Sequence, residues 1–148
     1  MMVINRINLI GAILANVINI STISIFIARL VGKPEIGHWI GIIILFSIVP
    51  LFYLLYSARS LERAKIYYIW VGLMITFIIV EFLVDWFPKI EFRNNLIIII
   101  PYVMLFFGAT GGMIGVASLA GKRWAMVTVA SFLIMAVLAF IQRQITGM

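Results

Sequence analysis

The chain has 148 residues, 65% of them hydrophobic and 11% charged, with a net charge of +6 and no cysteine. A soluble domain usually carries about 25% charged residues, and a domain this small keeps too large a surface to hide so much apolar side chain from water. The composition therefore excludes a water-soluble globule, and the missing cysteine excludes disulfides, thiolate nucleophiles, iron–sulfur clusters and most structural zinc sites.

A spanning helix needs about 20 mostly apolar residues. Five stretches qualify, which predicts an all-α, polytopic membrane protein: a single membrane-embedded domain built as a bundle of five transmembrane helices. The first span covers about residues 5–30 and stops before "VGKPEIG", where Gly32 and Pro34 break helices. It is longer than the roughly 7–15 apolar residues of a signal peptide, and no small-x-small cleavage site follows, so it is expected to stay uncleaved. Asn5, Asn8, Ala12, Ala15, Asn16, Asn19, Thr22 and Arg29 fall close to one face at spacings of three and four. Amides in hydrocarbon seek partners on neighbouring helices, so Asn16 and Asn19 read first as helix–helix adhesive. The alternative is the lining of a hydrated path leading toward Arg29.

The second span, about residues 38–57, contains Pro50 and is expected to kink there. His38 is the only histidine and reads as interfacial. Glu35 and Glu91 offer it no testable ligand spacing, so no metal site is assigned.

The third span, about residues 60–86, is expected to start on Ser60 as N-cap with Glu62 in its first turn. Its far end carries the segment "IIVEFLVDWFPKIEFR". Glu81 and Asp85 are four apart and share a helix face. With Phe87 at the interface, Glu81 lies about 9 Å deeper at the helical rise per residue, where a carboxylate needs a partner or a cavity. One reading is an ion-pair ring in which Arg29 and Arg143 answer Glu81 and Asp85. The other gives Glu81 a proton, a cation or a cationic ligand. The following "KIEFR" alternates charge and apolar residues, as an extended surface piece does.

The fourth span, about residues 95–120, contains Pro101, where it too is expected to kink, and "GATGGMIGVASLAG". Gly108 with Gly112, and Gly111 with Gly115, form two G-x-x-x-G pairs that let helices approach closely, within the chain or across a dimer. The run lacks the G-x-x-x-x-G-K-[ST] pattern of a phosphate loop. The fifth span covers about residues 122–143 after a tight "AGKRW" turn. Trp39, Trp86 and Trp124 fall at span ends, as interfacial tryptophans do, whereas Tyr102 falls well inside.

Five spans put the termini on opposite sides. Arg6, Arg59, Arg63, Lys65, Lys122 and Arg123 lie on the N-terminal side; Arg29, Lys33, Lys89, Arg93 and Arg143 lie on the other. The positive-inside rule counts these basic residues and favours a cytoplasmic N-terminus and an outer C-terminus, in the cell membrane. Anionic headgroups account for the net positive charge better than nucleic acid does, so the bilayer is the expected surroundings, with a second copy or another membrane protein as partner.

With one histidine at a rim, no Ser/His/Asp arrangement forms, and no dinucleotide or haem motif is present. No cofactor is expected. The leading reading is a small integral membrane protein acting by binding or assembly within the bilayer. A proton- or cation-coupled transporter using Glu81, with Asn16 and Asn19 along the path, is the alternative. A carboxylate-based intramembrane enzyme built on Glu81 and Asp85 comes third.

Overall fold

The computed structural model describes residues 2–86 and 95–146, except the side chains of 85, 86 and 146. Every regular element within them is a helix: α1 (Met2–Leu30), α2 (Pro34–Phe46), α3 (Ile48–Ser60), α4 (Lys65–Trp86), α5 (Leu96–Ser118) and α6 (Lys122–Thr146). With α2 and α3 forming one rod, five helices are long and apolar enough to cross a membrane. The fold is thus an all-α bundle of five spans. The "KIEFR" segment lies outside the described residues.

The turns follow from local chemistry. Gly32 takes φ 74°, a left-handed conformation that glycine enters without steric cost. The Lys33 N–H then reaches Ala28 O at 2.8 Å and the Gly32 N–H reaches Arg29 O at 3.2 Å, which caps the α1 carbonyls in a Schellman motif. Pro34 begins α2, where its missing N–H costs nothing. Asn95 caps α5 by accepting the Ile97 N–H at 3.0 Å.

The start of the third span differs from expectation. Ser60 is the last residue of α3, and its hydroxyl donates to Ser57 O at 2.9 Å. Glu62 stands at φ 51°, while the Arg63 N–H reaches Ala58 O at 3.1 Å and the Glu62 N–H reaches Arg59 O at 3.3 Å. This is a second Schellman cap, with glutamate where glycine is usual. Ser60 and Glu62 therefore close one helix instead of opening the next, and the third span begins at Lys65.

Pro50 interrupts the second span. Its ring and missing N–H cannot continue the ladder to Phe46 O, and the ladder is interrupted at the single residue Ser47, which lies between α2 and α3 with right-handed helical angles (φ −61°, ψ −15°). The Ser47 hydroxyl donates to Ile43 O at 2.9 Å. By contrast, α5 runs uninterrupted through Pro101.

The most enclosed span is α1, which packs against α2, α3, α5 and α6. Small residues permit this: Ala12 and Ala15 are fully buried, and a Cβ on Gly11 would meet Val116 Cγ1 at 2.8 Å. The fourth helix packs on α5 and α3. At the N-terminal end of the bundle, Arg63 Nη2 donates to Asn8 Oδ1, and Asn8 Nδ2 donates to Leu119 O at 3.2 Å. The Arg63 guanidinium lies 5.1 Å from the Tyr67 ring centroid, so one arginine ties three helix ends together.

The four glycines of α5 do not act as two equivalent pairs. A Cβ on Gly115 would meet the Trp70 indole at 2.6 Å, and one on Gly112 would meet Trp70 at 3.0 Å. Gly108 approaches Leu73 at 4.0 Å, whereas Gly111 has nothing within 4 Å. The face that receives α4 is therefore Gly108, Gly112 and Gly115. Gly115→Ala is expected to cost about 1–3 kcal/mol through overpacking against the indole. Gly111→Ala should leave stability unchanged or raise it, since only helix propensity changes. Thermal unfolding of both variants in one detergent checks the contrast.

Candidate functional site

Five helix ends meet at the C-terminal side of the bundle and do not fill the space between them. The cavity there measures about 500 Å³, within the roughly 300–1,000 Å³ range of small-molecule sites. Its apolar wall includes Phe26, Phe77, Phe106 and Phe107, from α1, α4 and α5. These rings pack edge to face, with Phe77–Phe106 centroids 5.3 Å apart and Phe106–Phe107 5.1 Å apart, which fixes the wall. Rim residues Phe82 and Phe140 are 37% and 65% exposed, so the cavity communicates with the bundle's surroundings.

Polar groups gather at the outer end: Arg29, His38, Glu81, Tyr102, Gln142 and Arg143. The Tyr102 hydroxyl donates to Glu81 Oε2, which seats the carboxylate on the wall formed by α4 and α5. The tyrosine that falls too deep for an interfacial belt thus supplies the hydrogen bond that Glu81 requires at its depth. Neither Arg29 nor Arg143 makes a hydrogen bond or ion pair with a described side chain. Among the described residues, then, Glu81 is not paired with either arginine. The Asp85 side chain lies outside the described residues.

Asn16 and Asn19 do not line the cavity. Asn16 Nδ2 donates to Thr128 Oγ1 at 2.9 Å and to Ala12 O at 2.9 Å. Asn19 Nδ2 donates to Ser131 Oγ at 2.9 Å, and Ser131 Oγ lies 3.3 Å from Asn16 Oδ1. All four side chains are buried. They form a polar clip between α1 and α6, in which Asn19 Oδ1 alone has no partner among the described residues. From the same stripe, Thr22 reaches the cavity wall. A continuous path from Asn16 to Glu81 would require the first and third spans to be packed neighbours. They are not: no pair of described Cα atoms from α1 and α4 lies within 8 Å, and the two helices instead border the cavity, Arg29 on one and Glu81 on the other.

The clip also sets a register. In five-span order α1 and α6 run in the same direction, and the clip pairs 16 with 128 and 19 with 131. Arg29 then stands about 15 Å beyond Asn19 and Arg143 about 18 Å beyond Ser131, at 1.5 Å per residue. Two arginines far apart in sequence therefore reach nearly the same level at one rim.

Sequence reasoning missed His38, Phe106 and Gln142 as cavity residues. His38 and Gln142 gave no signal beyond standing near span ends. Phe106 gave none, because an apolar residue in an apolar helix looks alike whether it faces lipid, core or cavity.

No protein-family model, curated protein or solved structure matches this chain.

A double-mutant cycle on Asn16→Ala and Thr128→Ala, measured by thermal or denaturant unfolding in detergent, should give a coupling of about 0.6 kcal/mol and at most about 1.7 kcal/mol. A coupling of zero would mean that the two side chains do not hold α1 to α6.

Proposed function

We propose that this chain is a non-enzymatic integral membrane protein that binds an amphipathic molecule in the cavity at the C-terminal end of its bundle. The supporting observation is the cavity itself: about 500 Å³, walled by phenylalanines and finished by arginine, glutamate, tyrosine and glutamine side chains at one end. A few convergent polar groups on an apolar enclosure recognise a head and a tail together. The basic-residue distribution favours a cytoplasmic N-terminus in the cell membrane, which turns the cavity's polar end toward the outer leaflet.

Glu81 supports a second reading, a proton- or cation-coupled carrier. It borders the cavity and accepts from Tyr102, and ionisable residues at such depth often mark ion pathways. On that reading Asn16 and Asn19 hold the scaffold instead of lining the path.

Gly41 lines the cavity, with nothing within 4 Å of the position a Cβ would take. Gly41→Phe is expected to fill the cavity and weaken amphiphile binding at least about tenfold, a change of about 1.4 kcal/mol, while thermal stability stays near wild type. Binding that survives this substitution would place the ligand elsewhere. Glu81→Gln separates the two readings in proteoliposomes. A carrier loses pH-dependent uptake with its fold intact, whereas a binding protein shows no such flux before or after the change.

A further inference from the structure

Resting on the binding reading, we infer that the ligand carries an anionic head, a phosphate or a carboxylate, gripped between Arg29 of α1 and Arg143 of α6. Three observations carry this.

The first is charge. Two guanidinium groups and one carboxylate border the same cavity, and with Arg29 half-buried and Arg143 exposed both permanent charges stand available to an anion at the rim. Neither arginine finds an acceptor among the described side chains. The second is placement. Glu81 is drawn to the opposite wall by the Tyr102 hydroxyl, which leaves the α1–α6 side of the rim to the two cations. The third is register. The clip of Asn16 and Asn19 with Thr128 and Ser131 brings both arginines to within about 3 Å of the same height, two residues of helical rise.

Arginine's planar fork matches phosphate and carboxylate oxygens in bidentate geometry. Two forks at one level, above a phenylalanine-walled cavity, suit an anion that continues into a hydrocarbon tail. The tail lies against Phe77, Phe106 and Phe107, and the head stays at the rim. In this arrangement the polar stripe of α1 acts on the ligand without touching it, because it positions the arginine that does.

The experiment uses the full chain in nanodiscs of zwitterionic lipid. Binding isotherms are measured for dodecyl phosphate, dodecanoate, dodecyl phosphocholine and neutral dodecyl glycerol, with empty discs as background. The anionic amphiphiles should bind at least about tenfold more tightly than the neutral one, as expected for charge-assisted hydrogen bonds. R29Q and R143Q should each remove most of that preference, weakening the anionic amphiphiles far more than the neutral one. R29K, which keeps charge but loses the fork, should fall between. Tighter binding of the phosphate than the carboxylate points to a phospholipid-type head, and the reverse points to a fatty acid; either result supports the inference. Equal binding of neutral and anionic amphiphiles, or tightest binding of the zwitterion, overturns the anionic head and leaves the cavity reading standing. If none of the four binds above background, the cavity reading fails and this inference falls with it. Neutral-amphiphile binding serves as the internal control for folding, so loss of all binding in R29Q with a lowered unfolding temperature counts against a direct role for Arg29.

Discussion

In hydrocarbon an amide without a partner is costly, and the most consequential contact in this bundle answers that cost. Asn16 and Asn19 of α1 meet Thr128 and Ser131 of α6 in a buried polar cluster. The last helix is otherwise the least enclosed of the five. Buried residues make up 11% of its most apolar window, against 50% for α1. Apolar packing in lipid gains little over contact with the lipid itself, so directional hydrogen bonds give α6 a defined seat. They also choose its register, since sliding by one residue would turn both hydroxyls away from the amides.

That register has a consequence about 15 Å away, at ten residues of helical rise. It brings Arg143 level with Arg29 on the rim of the cavity. On the opposite side the close approach of α5 to α4, made possible by glycines that leave room for Trp70, brings Tyr102 within reach of Glu81. Two unlike contacts, one polar and one steric, thus sort the rim charges onto different walls. The cavity exists because α1 and α4 each pack on other helices and not on each other.

The half-helix α2 contributes the remaining wall. It joins α3 through the single residue Ser47 and packs against α1, where a Cβ on Gly37 would stand in ordinary contact with Ile25 at 3.4 Å.

Sequence alone determined the all-α class, the number of helices long and apolar enough to cross a membrane, and several helix ends. Those follow from local quantities: runs of apolar residues set against bilayer thickness, glycine at a left-handed cap and proline beside it. It also singled out Arg29, Glu81, Asn16 and Asn19, because polar atoms at such depth are expensive wherever the chain goes. Only the tertiary structure decided what each one meets. Asn16 and Asn19 meet hydroxyls across a buried interface, Glu81 meets a tyrosine, and Arg29 meets a cavity. Ser60 and Glu62 were misassigned to the opening of a helix because serine and an acid suit an N-terminus by composition, whereas the backbone uses them to end one. Which cavity residues belong together was not legible for a similar reason. Helix pairing in lipid depends on the fit of small residues and on hydrogen bonds between distant positions, and a one-dimensional pattern of apolar residues that looks the same on every face carries no record of that fit.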